Sequence, residues 1–199
     1  MLTQKNGISK SQFSDVHNYL MHSSLFEIDK SVENDTLDIS LIHTNYRITI
    51  EGINNFKDYC RNNTITDSKN TKFIEKSRIE DFDAIRVPDY DLYFKMRSEK
   101  NVENTNNVLS ILKSHNKYFR KKKRFSFLHK NKSFRIDLTV VKTSEREAKT
   151  LQESGALQNL DKFEIEIEYL VGNNTSSDKN LEDLFGIIDS IKQLSLIHI

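Results

Sequence analysis

Residues Lys162–Leu170 read KFEIEIEYL, and this stretch decides the fold. In an extended strand successive side chains point to opposite faces, so residues two apart share one. Phe163, Ile165, Ile167 and Tyr169 therefore take one side, and Glu164, Glu166 and Glu168 the other. Three carboxylates about 6.7 Å apart repel by roughly 2.5 kcal/mol per neighbouring pair at an effective dielectric of about 20. On an open surface water screens most of that. In an enclosed site it must be offset by a metal ion or by basic neighbours.

The stretches upstream supply those neighbours. In Phe134–Val140, Phe134, Ile136, Leu138 and Val140 alternate with Arg135, Asp137 and Thr139. In Phe119–Phe127, Phe119, Phe125 and Phe127 share one parity, and Arg120, Lys122, Arg124 and Ser126 the other. In Asp91–Glu99, Leu92, Phe94 and Met96 alternate with Tyr93, Lys95, Arg97 and Glu99. Two architectures fit this alternation. One is a two-faced sheet, apolar inside and charged toward water. The other is a closed barrel whose charged face points inward. Acids on one strand and bases on others are what a metal–triphosphate site requires. Carboxylates hold a hard divalent cation through oxygen, while Lys and Arg grip phosphate oxygens.

Further out, strand patterns run over 36–42, 45–51, 71–79, 89–99, 117–129, 133–142 and 162–171. The spacing predicts a helix over 9–22, where Ser9 and Gln12 have capping-box spacing and Phe13, Val16 and Leu20 recur on one face. A second is expected over 53–61, through Ile53, Phe56, Tyr59 and Cys60, and a short one near 105–114. A third capped helix is expected to start at Ser144, with Glu147 completing the box. The last, over 177–193, carries Leu181, Leu184, Phe185, Ile188 and Ile191 as a core-facing stripe. The pattern is one α+β domain dominated by antiparallel strands.

Composition narrows the rest. A chain of 199 residues is about one domain's worth. It is 36% hydrophobic and 30% charged, so the charge must sit on the surface or in a polar interior. Thirty basic and 29 acidic residues leave a net charge of +1. Any anion binding must therefore come from local clustering. A single cysteine, Cys60, excludes an internal disulfide and a cysteine-based metal site, and suits a reducing compartment. No run approaches the roughly 20 apolar residues of a membrane span. The start, MLTQKNGISKSQF, lacks a signal peptide's apolar stretch. The expectation is an intracellular protein with no membrane partner, in which the triplets at Asn62, Asn131 and Asn173 go unglycosylated. Leu194–Ile199, LSLIHI, resembles the translation of a mosaic-end sequencing adaptor. The domain is therefore expected to occupy residues 1–193, with 194–199 a non-native tail.

The Glu164-x-Glu166-x-Glu168 strand resembles the C-terminal metal-binding motif of the triphosphate tunnel metalloenzymes. The ordered set RKKKRFSFL (120–128), FRIDLTVVKTS (134–144) and LDKFEIEIEYL (160–170) is similar to the RNA triphosphatase of fungal and large-DNA-virus mRNA capping enzymes. YRITIEGI (46–53) and FIEK (73–76) resemble the viral branch. The likeness spans roughly residues 36–171.

This resemblance implies an α+β fold built on a closed antiparallel β-barrel, the triphosphate tunnel, with helices packed outside. It implies hydrolysis of the γ-phosphate of 5′-triphosphate RNA with Mg²⁺ or Mn²⁺. Glu164, Glu166 and Glu168 would hold the metal and orient water. Lys122 and Arg124 match the basic pair on the γ-phosphate. Asp137 and Thr139 match the Asp-x-Thr strand, and Lys76, Lys95, Arg97 and Arg135 would be tunnel bases. A guanylyltransferase domain or subunit would be a partner, and a cytoplasmic viral factory or the virion the setting. No Lys-x-Asp-Gly motif of that second activity occurs in this sequence. One departure stands out. The family's first strand carries Glu-x-Glu, whereas Thr36-Leu37-Asp38-Ile39-Ser40 offers one carboxylate, Asp38, as the remaining metal ligand. Two other readings stay open: a tunnel hydrolase of another triphosphate (nucleotide, thiamine triphosphate or polyphosphate), and a degenerate module binding RNA through Arg120–Arg124.

Overall fold

The alternation read from the sequence becomes a single curled sheet in the computed structural model, which describes residues 2–4, 8–66, 69–79, 85–87, 92–103, 105–170 and 177–196. In chain order its elements are β1 (Leu2–Gln4), α1 (Lys10–His22), β2 (Phe26–Ile28), β3 (Asp35–Leu41), β4 (Tyr46–Glu51) and α2 (Ile53–Asn62). Then come β5 (Thr71–Arg78), β6 (Ile85–Val87), β7 (Leu92–Phe94), β8 (Arg97–Asn101) and α3 (Thr105–Ser114). β9 (Lys117–His129), β10 (Phe134–Thr143), β11 (Lys162–Tyr169) and α4 (Ser177–Leu196) complete the chain.

Strands neighbour one another in the order β6-β7-β1-β11-β10-β9-β3-β4-β5-β8, with β2 extending the β3 edge of β9. Every pairing is antiparallel. The closed barrel expected from the sequence is not formed: the sheet curls strongly and leaves the ring open. The stretch read as one strand over 89–99, of which residues 89–91 fall outside the described set, is divided. It breaks at Lys95–Met96 into β7, which lies between β6 and β1, and β8, which pairs with β5 at the far end of the sheet. Two residues of chain thus join β7 to β8, while the end strands of the sheet are β6 and β8.

The apolar parity faces outward, under helices. Phe127, Phe134, Ile136, Leu138, Ile165 and Ile167 pack with Phe13, Val16 and Leu20 of α1 and Ile187 and Ile188 of α4. A second cluster joins Leu37, Ile39, Ile48, Ile50, Phe73 and Phe119 to Tyr59 of α2, Val108 and Leu112 of α3, and Leu151 and Ala156. Both clusters contain several side chains with no exposure at all, each worth about 1.5–3 kcal/mol on burial. This is why the polar parity is left lining the concave side.

Helix α1 has the expected capping box at Ser9 and Gln12. The helix expected at Ser144 does not form. Residues 144–160 run as turns, with Lys117 and Ala148 bridged. Ser144 Oγ instead accepts from Phe119 N at 2.9 Å, tying the end of β10 to β9. The reciprocal capping bonds occur six residues later, between Thr150 and Glu153, around a single turn. In α4, Ile188 is buried and Leu184 and Ile191 pack on the core, whereas Leu181 and Phe185 stand half exposed. That stripe is therefore only partly core-facing. α4 runs to Leu196, and residues 197–199 of the LSLIHI segment, like Asn173, lie outside the described residues.

Candidate active site

The concave face encloses a cavity of about 490 Å³. Thr36 and Asp38 of β3, Arg47, Thr49 and Glu51 of β4, Arg120, Lys122 and Arg124 of β9, Arg135 of β10, and Glu166 and Glu168 of β11 line it. Lys72 and Lys76 of β5 and Glu99 of β8 close the far side. Strand parity delivers these side chains to one space, with neighbours such as Leu37, Ile39, Ile48, Ile50, Phe119, Ile136 and Ile167 anchored in the outer core.

Within the cavity, charges are paired across strands. Lys122 Nζ meets Asp38 Oδ2 at 2.6 Å, and Arg47 stands 3.7 Å from the same oxygen. Thr49 donates to Asp38 Oδ1 at 2.9 Å. Burial alone would raise the Asp38 pKa, but Lys122 and Arg47 outweigh it and hold the carboxyl below its ordinary value. Burial pushes the Lys122 pKa down, Arg120 and Arg124 push the same way, and Asp38 opposes them. Arg120 Nη2 reaches both oxygens of Glu164, at 2.8 and 2.9 Å. Arg135 bonds Glu168 at 2.5 Å and lies 3.3 Å from Asp137. Lys76 pairs with Glu99, and Lys72 with Glu51.

One carboxylate is left over. Glu166 makes no ion pair or side-chain hydrogen bond among the described residues, and burial, ahead of all other causes, raises its pKa. In register it faces Asp137, and Arg135 faces Glu168. Asp137, Glu166 and Glu168 each bring an oxygen within 4.8 Å of the others. Asp137 has no exposure at all. Ser126 donates to its Oδ1 at 2.6 Å, but its Oδ2 is buried without a hydrogen bond, with Arg124 3.3 Å away. A hard divalent cation fits such a donor set: oxygen only, anionic, and with lone pairs unused.

The structure thus brings together Lys122, Arg124, Arg135, Lys76, Asp38, Glu166 and Glu168 on one cavity. Asp137 lies behind its wall, as does Thr139, whose hydroxyl is buried without a partner. Glu164 sits on the same strand face but is held by Arg120, and Asp38 is held by Lys122, so both stand apart from the acidic trio. Lys95 lies at the break between β7 and β8, 5.6 Å over the Tyr93 ring. Arg97 is exposed and opposite Arg78. Neither lines the cavity.

Several lining residues escaped the sequence reading. Arg47, Thr49 and Glu51 share one parity of YRITIE while Ile48 and Ile50 take the other, so the same alternation argument identifies them. Ser31, Val32 and Glu33 also line the cavity, but they sit between elements, where no periodicity exists to find them.

The family profile described as "mRNA capping enzyme, beta chain" matches residues 3–183. The chain belongs to this family. Family membership makes it an mRNA 5′-triphosphatase, an enzyme of a metal-dependent family acting on 5′-triphosphate RNA in mRNA capping. No curated protein matches it directly by sequence. The RNA triphosphatase domain of the trifunctional mimivirus mRNA capping enzyme superposes with a TM-score of 0.68 at 18% identity, over 96% of this chain and 88% of that one. A triclinic structure of the mimivirus capping enzyme triphosphatase gives 0.67 at 17% identity, over 94% and 85%. The Pct1 RNA triphosphatase of S. pombe gives 0.48 at 14%, over 96% and 66%. The mimivirus pair shows that the curled, tunnel-like architecture is shared. Among the described residues no helix is long and apolar enough to cross a membrane.

Proposed function

We propose that this cavity removes the γ-phosphate of triphosphate-ended RNA with Mg²⁺ or Mn²⁺ held by Asp137, Glu166 and Glu168. The observation that carries this reading is the position of Glu166. It lies unpaired between two glutamates that arginines already neutralise, on a wall facing Lys122 and Arg124. The cation, when bound, supplies Lewis-acid polarisation of the phosphoryl oxygen and a template for in-line attack.

The chain's own groups do the rest. Lys122 and Arg124 grip the γ-phosphate oxygens and offset charge developing as the bond to the leaving phosphate breaks. Arg135 and Lys76 extend that basic lining on either side. Glu166, the carboxylate left without an ion pair, orients the attacking water. Asp38 and Glu164 hold Lys122 and Arg120 at fixed positions. The product is a diphosphate end. That is the acceptor a guanylyltransferase consumes, so we infer a guanylyltransferase domain or subunit as partner.

The test is phosphate release from RNA carrying a γ-labelled 5′-triphosphate, with and without Mg²⁺ or Mn²⁺. Label should be released only with metal, and the second phosphate should stay on the RNA. Hydrolysis of inorganic triphosphate in clear preference to RNA would favour a small-molecule triphosphatase instead.

A further inference from the structure

Tyr118 is the next residue of β9 on the cavity-facing parity beyond Arg120. The parity is fixed by its neighbours. Lys117 and Phe119 are 3% and 0% exposed on the outer side, while Arg120, Lys122 and Arg124 line the cavity. In register Tyr118 faces Ser40, and Ser40 faces Arg47. Tyr118 is 44% exposed, and its side chain makes no hydrogen bond or ring contact among the described residues. The inward face of β9 from Ser126 to Arg120, charged or hydroxyl-bearing, thus ends in one aromatic ring with no ring-contact or hydrogen-bond partner among the described residues.

Charge along the wall has a direction. Ser126 of β9 sits opposite Asp137 of the acidic trio. From there β9 presents Arg124, Lys122, Arg120 and then Tyr118 on the same face. A terminal phosphate gripped by Lys122, as in the reading above, leaves the remaining phosphates running past Arg120 toward Tyr118. Four residues of strand separate Lys122 from Tyr118, about 13 Å. That matches the extended reach of a nucleoside triphosphate from its terminal phosphate to its base.

We propose that Tyr118 stacks under the first base of the triphosphate-ended RNA and selects polynucleotide ends over inorganic triphosphate. Every base has a π-face, so the contact is indifferent to sequence, as a capping activity that meets different first nucleotides requires. The direction of the substrate rests on the triphosphatase reading above. The stack itself does not need turnover to be observed.

Two variants test it. Tyr118→Ala should raise KM for triphosphate-ended RNA about tenfold, within the roughly five- to 150-fold range of a lost base–aromatic stack. kcat should be retained, the preference for RNA over inorganic tripolyphosphate should fall by the same factor, and Tyr118→Phe should restore it. The chain contains no tryptophan, so Tyr118→Trp installs a sole indole. A β,γ-imido nucleoside triphosphate in Mg²⁺ should quench its emission, and inorganic tripolyphosphate should not. Equal loss on both substrates in Tyr118→Ala, or an indole that ignores the nucleotide, overturns the proposal. Wild-type protein that releases phosphate from neither substrate instead overturns the triphosphatase reading, and the quench then decides the stack alone.

Discussion

Asp38 and Lys122 meet at 2.6 Å although the sheet register sets Asp38 opposite Arg120 and Lys122 opposite Thr36. The contact runs diagonally between β3 and β9, and it takes the only carboxylate in the Thr36–Ser40 stretch of β3 away from the acidic trio. Both side chains are nearly buried. Breaking such a pair from one side strands a charge and costs about 3–5 kcal/mol. Asp38→Asn should cost more than Lys122→Met, because Asp38 keeps Arg47 and Thr49 whereas Lys122 loses its one close carboxylate. Chemical denaturation of both variants and the double mutant checks this, the double mutant costing less than the sum.

The same pair fixes an acid limit. The Asp38 carboxyl is held below its ordinary 3.8, so the unfolded state binds its proton first as pH falls. Its stabilisation is full above 3.8 and is lost as pH drops through the lower folded value. Urea midpoints measured from pH 6 down to pH 2.5 should show this contribution in wild type and not in Asp38→Asn.

Glu166 has the opposite sign. Its pKa is raised above the ordinary 4.5, chiefly by burial. The folded state then holds the proton longer, and metal-free stability declines as pH rises from 4.5 through the folded value. Glu166→Gln should therefore raise the metal-free Tm at neutral pH. It should also abolish the Tm increase on adding Mn²⁺, and abolish phosphate release. A variant that keeps full release would place the metal elsewhere.

Much of this site was legible because alternation is a local signal. KFEIEIEYL, FRIDLTVV and the basic run after Tyr118 each assign a face residue by residue, and seven strand stretches were visible that way. What alternation does not encode is which strand pairs where. The break at Lys95–Met96 sends β7 and β8 to different places in the strand order, which alternation within 89–99 does not encode. Likewise Asp137 and Asp38 were both readable as inward carboxylates. Which joins the acidic trio depends on the diagonal reach of Lys122, a tertiary fact.

Ser144 shows the limit of a capping motif. Its hydroxyl satisfies Phe119 N–H, and the side chain is buried, whereas Glu147 is exposed. Ser144→Ala leaves that amide without its partner and should cost about 1–3 kcal/mol. Glu147→Ala should cost close to nothing, although a helix cap would make the two comparable. Thermal melts of the two single variants decide it.

The altered first strand offers the sharpest test of where metal is held. Thr36 and Ser40 share the inward parity with Asp38, and both stand near where the family's Glu-x-Glu is expected. The structure separates them. Thr36 lines the cavity opposite Lys122 and Glu51, while Ser40 lies four residues further along β3, opposite Tyr118 and outside the cavity lining. A glutamate at Thr36 adds an oxygen ligand within the same space as the trio. It also adds repulsion, about 2–3 kcal/mol per close carboxylate pair at an effective dielectric of about 20 without metal. Thr36→Glu should therefore lower the metal-free Tm and enlarge the Tm increase on adding Mn²⁺ relative to wild type. Ser40→Glu should leave the Mn²⁺-dependent increase at its wild-type size. Equal gains from both would mean that the metal is held nearer the mouth of the cavity than Asp137, Glu166 and Glu168, and the assignment of those three ligands would have to be withdrawn.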